Sequence, residues 1–531
     1  MKYNLIAQYH PAAALHQPRL WSIMLDDWEH LPKKVDCNYQ VVPFPKKLDP
    51  KTTYALDTET EVSGSLGCWS LAWRDKGGQL CAAPTYGSKP NFMFGNALVL
   101  AHNWKFDLRV LQAASMHQPK NIADTMITAY VLGYGFQAPG DSTLTSPDQM
   151  VGGLGLKYLA RRHLGKSMRT WEEVKDADSA VIQGYNLDDS TATLLLWEQW
   201  ASKLPKHFWT IDTPLTRVLM ALEDKGILVD PKILGEYSKM LDAKLAQIDL
   251  PLNPDSPQQL QSYVYGELGI EPWRFTESGA PSVDEDVLST IDDPVIKKVL
   301  EYKALSKDKN TYVDNYTSGL GADSRLHCEF KQVRTATGRL ASARPNLQNV
   351  PKRNDSPIRK LFIAPPGKKL IRLDWQQLEL LVYGALTSEP AILKAYQEGK
   401  NIHRGMAELT AKFGMDYDDT KSMDFLMLFG GTEWKISQEF HMPIEEAKKL
   451  LTNYFQAFPG MQVYQEQQRQ IARSEKRVVN FFGRTRRLDG MYSNVWKVRK
   501  EAEREAINTP IQSAAADIVK LAMIDLHYKH N

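Results

Sequence analysis

From Thr53 onward, short stretches that alternate apolar and polar positions are interleaved with stretches of helical spacing. TYALDTET and CWSLAW have the two-residue period of strands, while the segment around FDLRVLQAA and DTMITAYVLGY have the longer period of helices. This alternation predicts an α/β unit. Residues 137–153, QAPGDSTLTSPDQMVGG, are rich in turn formers and predict a loop. Helical patterns then resume to about Leu204, and KLPKHFWTIDTP marks a boundary. Helical stretches follow to about Tyr316. Residues 325–390 predict strands plus one helix, and 391–531 are mostly helical. The first 50 residues carry scattered prolines without a strong period, and are expected to pack as an extension on the next unit. The last stretch, IQSAAADIVKLAMIDLHYKHN, predicts an amphipathic helix with no glycine cap.

A chain of 531 residues has room for two to four domains. No apolar run approaches the length of a membrane helix, and the start lacks the pattern of a signal peptide, so the cytosol is expected. The four cysteines form no CxxC pair and are expected to be thiols. The net charge of +2 says little about partners. Local charge says more. Between Lys331 and Arg372 there are eleven Lys/Arg against one acid, and between Arg469 and Lys500 ten against two. Two such stretches in a balanced protein predict a basic groove rather than two solvated faces.

In YALDTETEV, Asp57 and Glu59 are two apart and share one face of a strand. Two carboxylates on one face repel, and a divalent metal is the usual reason for the arrangement. A lone DxE is common on surfaces. Two further pairs add weight: Asn103 and Asp107 in HNWKFDLRVL, and Tyr185 and Asp189 in YNLDDSTATLLL, each four apart on one helical face. Asp57, Glu59, Asp107 and Asp189, with the Tyr185 hydroxyl, suit a two-metal phosphodiesterase with ions about 4 Å apart. In it one ion activates a water, the other stabilises the leaving oxygen, and Tyr185 orients the water. The order DxE, NxxFD, YxxxD resembles that of DnaQ-like 3′–5′ exonucleases, as in the proofreading domain of bacterial and phage polymerases of the polymerase I family.

A second set lies downstream. KKLIRLDWQQLEL predicts a strand ending in Asp374, then a helix carrying Glu379. A helix cap is the ordinary use of such an Asp. TATGRLASARPNLQNVPKRND offers Arg339, Gln348, Asn349 and Arg353 to phosphates or minor-groove acceptors. KSMDFLMLFGG places Lys421, Phe425 and Phe429 on one helical face, for a triphosphate and a stacked base or, more blandly, as a lysine beside core aromatics. EAEREAINTPIQ spaces Arg504, Asn508 and Gln512 as a polar ladder.

Together these motifs resemble the polymerase half of the same family, DNA polymerase family A, and the likeness spans roughly residues 50–531. The resemblance implies a ribonuclease H-like α/β exonuclease followed by a right-hand α+β polymerase. The expected divisions are 1–50 extension, 51–205 exonuclease and 206–531 polymerase, with thumb about 215–320, palm about 325–390 and fingers about 391–510. It implies Asp374 as a holder of catalytic metal, Glu379 as the group that excludes a ribose hydroxyl, and His403 (in NIH) and Lys421 as triphosphate contacts. Phe425 and Phe429 would sit at the incoming nucleotide. Arg339, Gln348, Asn349, Arg353, Arg504, Asn508 and Gln512 would hold the primer–template. Mg²⁺, two per site, with Mn²⁺ as the alternative, primer–template DNA and dNTPs are the implied cofactor and partners, with no membrane.

The match has departures. The family arginine four before the fingers lysine is Tyr417, the family tyrosine is Phe429, and Leu426 replaces a small residue. No 5′-nuclease segment precedes the exonuclease, which favours a phage-like arrangement in a bacterial host cytoplasm. No His-Asp-Glu palm motif occurs, so a complementing C-terminal fragment carrying it is expected for polymerisation, as in a split polymerase. The apolar face of the last helix, Ile518, Leu521, Ala522 and Ile524, is then expected to be under-covered. The alternatives are a stand-alone exonuclease with a DNA-binding half, and a non-catalytic DNA-binding subunit.

Overall fold

The computed structural model describes residues 35–61, 63–134, 153–276, 279–351 and 357–530. The expected loop at 137–153 lies almost wholly outside them, as does Arg353. The chain divides into two compact units. One comprises residues up to Met220 with 332–340 and 374–531, the other 221–331 with 341–373.

The first unit begins with a six-stranded sheet in the order β1-β4-β3-β2-β5-β6. Its strands are β1 (Gln40–Val41), β2 (Thr53–Thr60), β3 (Leu66–Arg74), β4 (Leu80–Tyr86), β5 (Leu98–Ala101) and β6 (Asn121–Asp124). The two predicted strand motifs are β2 and β3, paired antiparallel with Asp57 opposite Ser70 and Glu59 opposite Cys68. β5 and β6 join parallel on the other side of β2. A parallel step needs a crossover, and helix α1 (Trp104–Ala113) supplies it between β5 and β6. Alternation along β2 feeds two cores. Ala55 packs with Leu100, Leu194 and Trp200, whereas Leu56 packs with Trp69, Val99 and Trp104. Helices α2 (Thr125–Val131), α3 (Leu156–Leu164) and α4 (Ser179–Trp200) complete this part. α4 is tied to β3 through the Ser70 hydroxyl, which donates to Asn186 O at 3.0 Å and meets Ser190 Oγ at 2.8 Å.

The second unit is mostly helical. α5 (Pro231–Gln247) and α6 (Pro294–Lys307) each start with proline after an aspartate whose side chain accepts two backbone N–H groups. The unit also contains two short antiparallel pairs, β7 (Ile227–Leu228) with β8 (Arg325–Leu326) and β9 (Glu329–Lys331) with β10 (Ala341–Ala343).

The rest of the first unit contains α7 (Leu378–Thr387), α8 (Ile402–Thr410), α9 (Tyr417–Leu428), α10 (Ile444–Ala457), α11 (Pro459–Glu475), the hairpin β11 (Arg477–Val479)–β12 (Thr485–Arg487), and the 35-residue α12 (Trp496–His530). In the segment read as a boundary, KLPKHFWTIDTP, His207, Phe208, Ile211 and Asp212 are buried while Lys206, Trp209 and Thr210 are exposed. Arg484 reaches Asp212 Oδ1 at 2.9 Å and Asp517 Oδ1 at 2.7 Å, while His207 Nδ1 lies 2.8 Å from Asp212 Oδ2. This buried network joins the end of the exonuclease region to the hairpin and α12.

One predicted strand is absent. KKLIRLDW has no strand conformation, and Ile371 and Leu373 are 82 % and 73 % exposed. The physical reason is pairing: a strand needs a neighbour to take its N–H and C=O groups, and among the described residues none pairs with this segment. The other sheet elements expected of 325–390 are the short β8, β9 and β10. On α12, Ile518, Leu521, Ala522 and Ile524 are half-buried, so the face expected to be under-covered is partly covered by this chain. All four cysteines are thiols, and among the described residues no helix is long and apolar enough to cross a membrane.

Candidate active sites

The exonuclease-like centre forms where β2 meets α4. Asp57, Glu59 and Asp189 each present an oxygen within 4.8 Å of the others, the one group of three or more metal-capable side chains among the described residues. Strand alternation puts Asp57 and Glu59 on one face, and helical spacing stacks Tyr185 one turn before Asp189, both as predicted. Asp107 is buried beside them, its Oδ1 accepting from Thr58 N at 3.1 Å and Thr58 Oγ1 at 2.8 Å. Asn103 does not share the helical face of Asp107. It is the exposed residue before α1, in the left-handed region at φ 73°, because Asp124 takes the N–H groups of Asn103 and Trp104 there.

The electrostatics are those of acids forced together. Burial pushes the Asp57 carboxyl well above its ordinary range, and Asp189, Glu59 and Asp107 push it further. Burial and Asp189 raise Glu59 to about 8. Burial raises Asp189 to about 6 against the pull of Lys157. The Tyr185 hydroxyl is also raised, by burial and then by Asp189. Hard, clustered carboxylate oxygens that resist ionising together suit a divalent cation.

Three contributors were not found from the sequence. Lys157 Nζ pairs with Asp189 Oδ1, Asn186 Nδ2 donates to Asp57 Oδ2 at 2.7 Å, and Thr58 serves Asp107. Asn186 lies inside a motif that had been singled out. Thr58 is the middle residue of the Asp57-x-Glu59 motif, and Lys157 lies outside every motif named above.

In the polymerase-like region the structure disperses more than it gathers. Asp374 is exposed in the segment without strand conformation and, among the described residues, belongs to no group of three metal-capable side chains. Glu379, in the first turn of α7, has its Oε1 3.1 Å from Arg339 Nη2. Lys421 and Phe425 share a face of α9. Phe429 is the residue just past the helix rather than within it, because α9 ends at Leu428. Phe425 and Phe429 are 45 % and 47 % exposed, so they are not core aromatics. His403 is buried, with Nδ1 2.5 Å from Asp424 Oδ2 and its ring 5.6 Å from that of Phe425. Arg504, Asn508 and Gln512 form the predicted half-buried ladder on α12, and Arg504 pairs with Glu501. Gln348 and Asn349 are exposed in the second unit.

Comparison with known proteins agrees with this layout. The family model described as DNA polymerase family A matches residues 232–531, and that described as 3′-5′ exonuclease matches 32–201. DNA polymerase I of Pseudomonas aeruginosa is 31 % identical over 476 residues, covering 82 % of this chain and 50 % of that protein. The thermostable DNA polymerase I of Thermus thermophilus is 32 % identical over 425 residues, covering 76 % and 48 %. The chain thus spans about half the length of the curated relatives it matches. Among solved structures, the POL domain of Pol1 from M. smegmatis in complex with DNA primer-template and dNTP aligns with a TM-score of 0.73 at 22 % identity, over 90 % of this chain and 85 % of that one. That likeness concerns the fold. With a polymerase match over residues 232–531 behind an exonuclease match, the chain belongs to DNA polymerase family A and carries a 3′–5′ exonuclease domain.

Proposed function

We propose that the chain is a template-directed DNA polymerase with a 3′–5′ proofreading exonuclease, acting on primer–template DNA and dNTPs in phage-type DNA replication in a bacterial cytoplasm. The observation that carries the nuclease part is the convergence of Asp57, Glu59 and Asp189, with Asp107 alongside. These residues would hold Mg²⁺, with Mn²⁺ as the alternative, and the ions supply charge neutralisation and an acidified water when bound. Tyr185, over the cluster, would orient the water. Residues 51–205 form the nuclease, and the helices within about 215–320 the thumb. Exposed Lys421, Phe425 and Phe429 would meet the incoming nucleotide beside His403, Glu379 would select deoxyribose, and Arg339, Gln348, Asn349, Arg353, Arg504, Asn508 and Gln512 would hold DNA.

Polymerisation needs a second palm carboxylate beside Asp374, and this reading takes it from a segment outside these 531 residues, in cis or in trans. The exposed apolar side chains of Leu370, Ile371 and Leu373 support this, since a partner strand would cover them. The assembled nuclease cluster, set against the dispersed polymerase residues, favours a second reading in which this chain alone acts as an exonuclease with a DNA-binding half. Primer extension with Mg²⁺ and dNTPs, with and without a family A fragment carrying His-Asp-Glu, separates them. Extension only with the fragment supports the first reading. Nuclease activity with no extension under any combination supports the second.

A further inference from the structure

Among the described residues, Lys157 is a cation that acts on three of the four acids of the nuclease centre, Asp57, Glu59 and Asp189. Lys157 stands in the first turn of α3, its side chain 17 % exposed, and its Nζ rests on an Asp189 carboxylate oxygen. The same Nζ lies 4.0 Å from the centre of the Tyr185 ring. Its charge favours the ionised forms of Asp57, Glu59 and Asp189. The other supports are neutral: Asn186 on Asp57 and Thr58 on Asp107.

An ammonium seated on a carboxylate is a rival to a divalent ion on that same carboxylate. Like charges in a poorly screened site repel, and the ammonium's three N–H groups occupy lone pairs that an ion would take. Its stem is flexible, and the Tyr185 ring, which the ammonium already touches while paired with Asp189, would keep that contact once the ammonium left the carboxylate.

We propose that Lys157 is a resident counter-cation that holds Asp189 in the metal-free centre and competes with the divalent ion for it. The nuclease loads metal by exchanging Lys157 away from Asp189. Lys157 is thus a positioning residue, acting through Asp189. The inference rests on the proposed exonuclease function.

The test is direct titration of the full chain with Mn²⁺, followed by electron paramagnetic resonance, for wild type, Lys157→Met and Lys157→Arg, with melting in EDTA alongside. Lys157→Met is expected to bind Mn²⁺ roughly tenfold more tightly, the scale on which neighbours of metal ligands alter affinity, and to melt lower in EDTA. Lys157→Arg is expected to stay near wild type. A second measurement needs no variant. Acylation of Lys157 by an amine reagent, read by mass spectrometry on wild type, is expected to speed up when Mn²⁺ saturates the site. Unchanged or weaker Mn²⁺ binding by a folded Lys157→Met, or metal-independent labelling of wild-type Lys157, would overturn the proposal. Shortening of a 3′ end by the wild type with Mg²⁺ reports separately on the nuclease reading. If DNA stays intact while Lys157→Met still binds Mn²⁺ more tightly, the nuclease reading fails and the counter-cation stands.

Discussion

Asp57 illustrates what a single position can and cannot reveal. Its pairing with Glu59 was legible because a strand repeats every two residues, and that of Tyr185 with Asp189 because a helix repeats near four. Their supports were not legible. Asn186 lies 129 positions from Asp57, and Lys157 lies 32 from Asp189, so only the tertiary fold brings them together. Asn103 failed for a local reason: Asp124 captures two backbone N–H groups and starts α1 one residue later. Asn186→Ala removes a hydrogen bond to a charged group, worth about 1.5–3 kcal/mol. It is therefore expected to raise the Mg²⁺ concentration for half-maximal cleavage by roughly 10–100-fold. A metal dependence identical to wild type would show that Asn186 does not set the Asp57 geometry.

At the scale of elements, β2, β3 and α1 were legible because each keeps its period over enough residues, whereas α4 and α12 were read from short helical spacings and have no single apolar face along their full length. KKLIRLDW also kept a strand-like pattern, yet pattern does not supply a partner, and the segment is irregular. Its amides are expected to exchange with solvent near the unprotected rate, whereas those of β2 are protected. Slow exchange across Leu370–Asp374 in this chain alone would contradict the account. Packing between helices gives a second check. On α7, a methyl group added at Gly384 would collide with Ile392 Cγ2. Gly384→Ala is expected to cost about 1–3 kcal/mol, measured by denaturant unfolding, and Ile392→Ala in the same chain should recover part of it.

Across the whole first unit, the strongest tie that the sequence did not announce is the buried network of Arg484, Asp212, Asp517, His207 and Lys520. Its members are spread over more than 300 positions; His207 and Asp212 share one local stretch and Asp517 and Lys520 another, and only the fold brings the two together with Arg484. Burial opposes the Asp212 charge, but Arg484, His207 and Lys520 outweigh it and hold the carboxyl below its ordinary range. A depressed folded-state value adds stability that is present above the unfolded value near 4 and lost as pH falls below it. Unfolding monitored from pH 7 down to 3 should show that loss. Arg484→Met leaves two buried acids short of a partner and is expected to cost about 3–5 kcal/mol at neutral pH. The central functional claim is the nuclease chemistry of the Asp57 cluster, and a 5′-labelled single strand incubated with Mg²⁺ tests it most directly. Stepwise shortening from the 3′ end, lost in EDTA and reduced on the order of a thousandfold or more in Asp57→Ala, is the predicted result. No Mg²⁺-dependent shortening, or shortening that survives Asp57→Ala, would contradict it.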